Sequence, residues 1–205
     1  VWGEVTNDFT TTFTNNVGRG PYMWINWPCT DNSKKHLIMG GYTTFLHPGV
    51  DPNKIQGIVL NPMQQSEPSK VAIFGNACYS WNIWQSEEEA QKCWNASFKY
   101  VDHNSALETK ASAALRELSK HMINQNMDDR VTALQESVDL KDRLASFKAA
   151  ISNGTTISDE QFKDLINEFT LLKNASTTYR EQAGDSRVKD QIVYWLNCWD
   201  DTTDA

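Results

Sequence analysis

Three polar residues, Asn26, Asp31 and Asn61, and one aromatic, Trp24, have the types and spacing to grip a ligand. An ionised carboxylate such as Asp31 accepts charge-assisted hydrogen bonds, about twice as strong as neutral ones. An Asn side chain offers a donor and an acceptor together. The indole of Trp24 adds a flat apolar face. The plain alternative is that Asn26 closes a strand and Asp31-Asn32 forms a turn, since both residue types are common there.

These residues sit at the ends of two short apolar, β-prone runs. The first is Tyr22-Met-Trp-Ile-Asn-Trp-Pro-Cys-Thr-Asp31, and the second is Gly57-Ile-Val-Leu-Asn-Pro-Met63. Each stops abruptly in Asn, Pro or Asp, so strands are expected near 21–27 and 56–61, with polar groups at their C-terminal ends. Pro28 ends the first, because proline cannot donate to a sheet ladder. In parallel α/β folds the ligand chemistry sits at that end of the strands.

The elements that must hold these runs follow from periodicity. A short, weak helix is expected at Asp8–Asn16, before the turn at Gly18-Arg-Gly20. Residues 28–55 read as a long loop, broken at Gly40-Gly41, Pro48-Gly49 and Asp51-Pro52, with a helical turn at Ser33–Met39. Loops of that length are usually functional or lids. Ser66-Glu-Pro-Ser offers a start for a helix near 67–82, whose stripe is Val71, Phe74, Cys78 and Trp81. Strand, loop, strand and helix are the ingredients of βα units.

From Ser86 onward the pattern is helical throughout. Ser86-Glu-Glu-Glu89 is a capping-box candidate ahead of Ala90, Cys93, Trp94 and Phe98. A second helix near 105–123 carries Leu107, Ala111, Ala114, Leu118 and Met122. A third, from Asp128 to about Ser152, carries Val131, Leu134, Val138, Leu140, Leu144, Phe147 and Ile151, and ends at Asn153-Gly154. Ser158-Asp-Glu-Gln161 gives the clearest start, with Ile157 stapled to Phe162, and Gly184 ends that helix. The last begins near Asp185 or Ser186 and packs Val188, Ile192, Trp195 and Trp199. Five amphipathic helices make a bundle, with a boundary at about 82–86.

Composition limits the function classes. The chain has 205 residues, 40% hydrophobic and 22% charged, an ordinary globular balance. Its net charge of −7 argues against nucleic acid, whose phosphates must be neutralised by Lys and Arg. No apolar run approaches the ~20 residues of a membrane span. The cysteines at 29, 78, 93 and 198 and the four histidines lack metal-ligand spacing, so buried thiols are expected, with no metal and no cofactor. Eight Trp, eight Phe and six Tyr point to core packing before any stacking surface. Trp27, Trp81 and Trp84 are read as packing. Cys29 is read as loop packing and not as a nucleophile.

A lone pair of parallel strands is marginal in water and needs both faces covered. Residues 1–82 are therefore expected to close a larger α/β domain whose earlier strands lie upstream.

The motif set is specific. Trp24-Ile-Asn26-Trp-Pro-x-x-Asp31, then Leu60-Asn61-Pro-Met63, then Ser69-Lys-x-Ala-Ile-x(5)-Tyr79-x-Trp81-Asn82 resembles family 84 of the glycoside hydrolases. That family contains the O-GlcNAcases and the clostridial hyaluronidase-type β-N-acetylglucosaminidases, and the wording around Asn26 is closest to the mu-toxin type. The resemblance covers residues 1–82, with the later helices like the domain that trails the barrel in bacterial members. It implies a mainly α chain with a small α/β part: the last two βα units of a (β/α)8 TIM barrel (1–84) followed by a helical bundle (85–205). It also implies hydrolysis of terminal β-linked N-acetylglucosamine by substrate assistance, an exception to the scheme with an enzyme carboxylate as nucleophile.

The catalytic Asp-Asp pair of the family is expected upstream of this chain, so no catalytic residue is assigned here and the chain alone is expected to be inactive. Asp128-Asp129 and Asp200-Asp201 read as a helix start and a solvated tail. By the resemblance, Trp24 walls the acetamido pocket, Asn26 is a polar ligand near it, Asp31 holds the O4 and O6 hydroxyls, and Asn61 adds a hydroxyl contact. The implied partners are N-acetylglucosamine-containing glycans (hyaluronan, glycoproteins or mucin) and the upstream part of the barrel, in a secreted or cell-surface bacterial setting. The competing reading is a non-catalytic helical spacer or docking module. Its one candidate surface is Trp195 with Trp199, which loses its motive if both are buried against Trp94 or Phe98.

Overall fold

A computed structural model describes residues 4–31, 36–41, 45–122 and 138–204. Helix α1 (Asn7–Val17) is capped by Thr6, whose hydroxyl accepts from Phe9 N, and it stops at Gly18 with φ +80°. Strand β1 (Tyr22–Ile25) pairs in parallel with β2 (Gly57–Leu60), in the register Tyr22↔Gly57 through Ile25↔Leu60. Alternation then decides the faces. Met23 and Ile25 are buried, while Tyr22 and Trp24 stay exposed.

Helix α2 (Ser66–Trp81) covers the inner side of the pair. The helix opens at Ser66, one residue before the expected start. Gln65 is the N-cap and makes no side-chain cap bond. Gln191, far along the chain, supplies it instead, accepting from Glu67 N at 2.8 Å and donating to Ser66 Oγ at 3.2 Å. Gly75 in mid-helix would be a weakness on propensity alone. Its reason is the Trp27 indole, whose Cη2 lies 3.0 Å from where a Cβ would sit.

The long connection between the strands is not a lid in its described parts. Leu37, Ile38, Met39, Phe45, Leu46 and Val50 are all buried. Buried backbone needs partners, and it has them. Met39 N and Gly40 N donate to Met122 O, the Trp94 indole donates to Met39 O, and the Trp27 indole donates to Gly40 O. The helical turn expected at Ser33–Met39 is absent over 36–39, and 32–35 lie outside the described residues. A 3₁₀ turn occurs instead at Pro52–Lys54, capped by Asp51.

The remaining helices are α3 (Glu87–His103), α4 (Lys110–Ser119), α5 (Val138–Asn153), α6 (Asp159–Gln182) and α7 (Ser186–Asp204). Ser86 caps α3 by accepting from Glu89 N, but the Glu89 carboxylate reaches Gln85 N, not Ser86 N. α4 starts later than its periodicity suggests. Thr109 and Ser112 form a reciprocal capping box, so Leu107 falls outside the helix and is exposed. Ser158 and Gln161 form the predicted box on α6, whereas Phe162, the proposed staple partner, is half exposed. The start expected at Asp128, with Val131 and Leu134, lies outside the described residues, as does Asp128-Asp129. Ile151 is exposed, so the stripe of α5 fades at its end.

One hydrophobic cluster runs from Ile25 and Trp27 through Val71, Tyr79, Trp94 and Phe98 to Leu172, Tyr179 and Ile192. It crosses the boundary expected near 82–86 without a break. Full burial of one such side chain is worth about 1.5–3 kcal/mol.

A buried polar cluster fixes α3 to the α6–α7 turn. Asp102 is 1% exposed and sits at a helix C-terminus, where the dipole disfavours an anion. Donors offset this. Tyr179 OH donates to it at 3.0 Å, Gly184 N donates to both oxygens at 3.2 Å, and His103 Nδ1 lies 2.5 Å from Oδ2. Gly184 is there for closeness and not for a left-handed cap. A Cβ would stand 2.7 Å from the Asp102 carbonyl oxygen.

Candidate functional site

Past the strand ends, the ladder continues by one bond, Asn61 N donating to Ile25 O at 2.8 Å. The same parity that exposes Trp24 and Val59 carries Asn26 and Asn61 onto that face, opposite each other in register. Their side chains meet there. Asn61 Nδ2 donates to Asn26 Oδ1 at 3.2 Å, and the Trp24 indole N–H donates to the same oxygen at 2.9 Å. Asn26 is only 6% exposed and Trp24 is 54% exposed. A buried carboxamide is thus pinned by two donors, with an open indole beside it. Its carbonyl oxygen is occupied by these two donors.

Asp31 stands apart from this trio. It lies on the loop beyond the cis Trp27–Pro28 bond and is exposed. Its neighbour Cys29 is buried, and burial first of all, then the Asp31 carboxylate beside it, pushes the thiol's pKa up. A thiol held protonated is a poor nucleophile, which agrees with a packing role. The structure therefore brings Trp24, Asn26 and Asn61 together and leaves Asp31 exposed on the following loop, outside that contact.

Among the other cysteines, Cys78 and Cys93 are half-buried and Cys198 is exposed, all as thiols, so the expectation of burial fails for Cys198. No group of three or more His, Cys, Asp or Glu side chains suited to a metal occurs among the described residues. No described helix is long and apolar enough to cross a membrane.

Other aromatic and acidic readings divide. Trp27 and Trp84 are buried as expected, but Trp81 is 92% exposed. The α2 stripe turns it outward at the last helical residue, where nothing of the described chain covers it. Trp199 packs edge-on against His121 with 5.5 Å between centroids, and Trp195 against Tyr194. Both are partly buried on the core. Their partners are not Trp94 and Phe98, which instead pair with each other at 4.8 Å. Asp200-Asp201 is not a tail. It belongs to α7, where Asp200 accepts from Ser176 Oγ at 2.6 Å and pairs with Arg180 at 2.7 Å.

Comparison with known proteins adds a family to this geometry. A family model described as β-N-acetylglucosaminidase matches residues 1–120. The solved structure of CpGH84D is 30% identical and superposes with a TM-score of 0.78, over 98% of this chain and 32% of that one. CpGH84B, at 18% identity, gives a TM-score of 0.73 over 98% of this chain and 33% of its own. A mutant of the Thermobaculum terrenum O-GlcNAc hydrolase, also at 18%, gives 0.64 over 98% and 40%. The latter two show the fold alone. The chain spans about a third of the first two structures' length. With the family model covering more than half of it, this chain belongs to the β-N-acetylglucosaminidases of glycoside hydrolase family 84.

Proposed function

We propose that this chain forms one wall of the sugar pocket of a β-N-acetylglucosaminidase built on a (β/α)8 barrel, with β1 and β2 as its seventh and eighth strands. The parent protein hydrolyses terminal β-linked N-acetylglucosamine. The sugar's own acetamido carbonyl attacks the anomeric carbon, and an Asp-Asp pair outside this chain orients the acetamide and moves the proton. This chain binds and positions. The Trp24 face lies along the acetamido group, Asn26 is a polar ligand beside it, Asn61 contacts a ring hydroxyl, and Asp31 takes the outer hydroxyls.

The observation that carries this reading is the Asn26 carboxamide pinned between Trp24 and Asn61 at the C-terminal ends of two parallel strands. It is a neutral, rigid carboxamide beside an aromatic face, suited to an uncharged acetamido sugar. A carboxylate on the following loop adds the charge-assisted bonds that hydroxyls favour.

The test is kcat/KM on an aryl N-acetylglucosaminide with the intact parent protein. Asp31→Ala is expected to lower it about a hundredfold, because a hydrogen bond to a charged group is worth up to about 3 kcal/mol. Unchanged values would remove Asp31 from the pocket. The chain by itself is expected to show no hydrolysis, and turnover from it would overturn the division of labour.

A further inference from the structure

Asn26 and Asn61 lie where the strand ladder runs out. Past the bond from Asn61 N to Ile25 O, no backbone hydrogen bond joins the two runs among the described residues. The spacing of the two carboxamides is therefore set from outside the strands.

One short piece of the long connection, Ile38–Gly40, holds the residues that follow each Asn. Trp27, next to Asn26, donates its indole N–H to Gly40 O at 3.1 Å. Met63, just past Asn61, accepts from Ile38 N through its sulfur at 3.2 Å. Met39, between these two contacts, is held from the other side. Its N–H donates to Met122 O at 2.9 Å, and its carbonyl accepts from the Trp94 indole at 2.8 Å. Its sulfur accepts from Ser119 Oγ at 3.7 Å. Trp94 belongs to α3, Ser119 ends α4, and Met122 follows it. The bundle grips the middle of the segment, and the flanks of the segment grip the site.

Burial makes this path stiff. Trp27, Ile38, Met39, Met63 and Trp94 are each no more than 4% exposed. The Trp27 ring is closed in from α2 as well, since a Cβ on Gly75 would stand 3.0 Å from its Cη2. Close-packed interiors transmit small displacements and do not absorb them. Both partners of every contact lie within this chain, so the path does not depend on the strands that complete the proposed barrel.

We infer that Trp94 is a positioning residue for the sugar pocket. From the helical bundle, and through Ile38–Gly40, it fixes where the Asn26 and Asn61 carboxamides stand. Trp94 is buried, so it acts on a sugar only through this path. The inference rests on the function proposed above for its effect on the reaction, while the placement of the side chains can be read without catalysis. A displacement of about 1 Å can cost on the order of a hundredfold in rate, so a brace loosened by a fraction of that shows in turnover.

The test uses the intact parent protein. Trp94→Phe keeps a ring and removes the N–H that holds Met39 O. It is expected to lower kcat/KM on the aryl N-acetylglucosaminide about five- to tenfold per folded molecule. In an Asn26→Ala background the same change should cost less than about twofold, because a group it positions is gone. Val101→Ala, which removes core volume elsewhere on α3, should leave kcat/KM per folded molecule at the wild-type value. The Trp24 indole N–H, bonded to Asn26 Oδ1, reports the placement directly, and its magnetic resonance signal should move in Trp94→Phe. Trp27→Phe cuts the other end of the brace and should give the same loss of kcat/KM, including where Trp94→Phe does not fold. Unchanged kcat/KM, an equal loss in both backgrounds, or an unmoved Trp24 signal overturns the proposal. A parent protein that never cleaves the aryl substrate, yet whose Trp24 signal moves, refutes the catalytic reading and leaves the brace standing.

Discussion

Two polar clusters in this chain look alike on paper and differ in purpose. Each joins elements distant in sequence, and each centres on one side-chain oxygen that takes two or more donors. The Asp102 cluster is closed: the carboxylate is buried, its donors are Tyr179 and Gly184, and the His103 ring lies against it. The Asn26 cluster is open on one side, because its second donor is the indole of a half-exposed Trp24. The first uses charge where a ligand has no access. The second uses a neutral amide beside an exposed indole. A polar network enclosed on all sides fixes geometry, whereas one with an open face can pass its geometry on to a substrate.

That contrast can be broken most directly at Asp102. Asp102→Ala leaves a buried hydroxyl and a backbone N–H without their acceptor, and should cost about 3 kcal/mol of stability. A urea midpoint that falls at constant slope would show it, and an unchanged midpoint would end the structural reading of the cluster. Gly184→Ala forces a methyl to within 2.7 Å of the Asp102 carbonyl and should cost about 2 kcal/mol, read in the same titration.

Asn61→Ala should reverse the pattern. It is expected to lower kcat/KM of the parent protein about tenfold, the worth of one neutral hydrogen bond, with little change in stability. A variant that loses stability and keeps activity would move the Asn26 cluster to the structural side.

Tyr179→Phe should cost about 1 kcal/mol near neutral pH. Burial first of all, then the Asp102 charge, raises the Tyr179 pKa above its ordinary value, and burial raises that of Tyr79. The folded state therefore keeps protons that the unfolded state gives up above about pH 10. Stability is full below that pH and declines as pH climbs above it, by about 1.4 kcal/mol per pH unit for each such group. Tyr179→Phe should make the alkaline decline shallower. An identical slope in the variant would show that Tyr179 does not contribute to it.

Much of the candidate site's geometry was legible because its causes are local. The period-2 alternation of Tyr22–Ile25 and Gly57–Leu60 fixes which face Trp24, Asn26 and Asn61 share, and the family wording names the same residues. The helices announced by Ser86, Ser158 and the stripe of Val188 and Ile192 were legible for the same reason. What escaped the sequence depends on distant partners. The side chain that closes the first turn of α2 is Gln191, far along the chain. The Thr109 box uses Ser112 in place of the usual Glu or Gln, so α4 looked longer than it is. The apolar triplet Leu37-Ile-Met39 was the signal that the long connection belongs to the core, and the glycines around it hid that. Trp81 satisfies helical period and is still exposed, because a stripe predicts a face and not its cover.

The Gln191 cap has a consequence for how the protein is made. Its partner, Glu67 N, precedes it by 124 residues. At about 5–20 residues per second, a ribosome delivers Gln191 roughly 6–25 s after Glu67. During that interval α2 has no side chain to close its first turn and no α7 to cover the surface α7 will occupy. The first turn of α2 is therefore closed only after the bundle that supplies Gln191 has been synthesised.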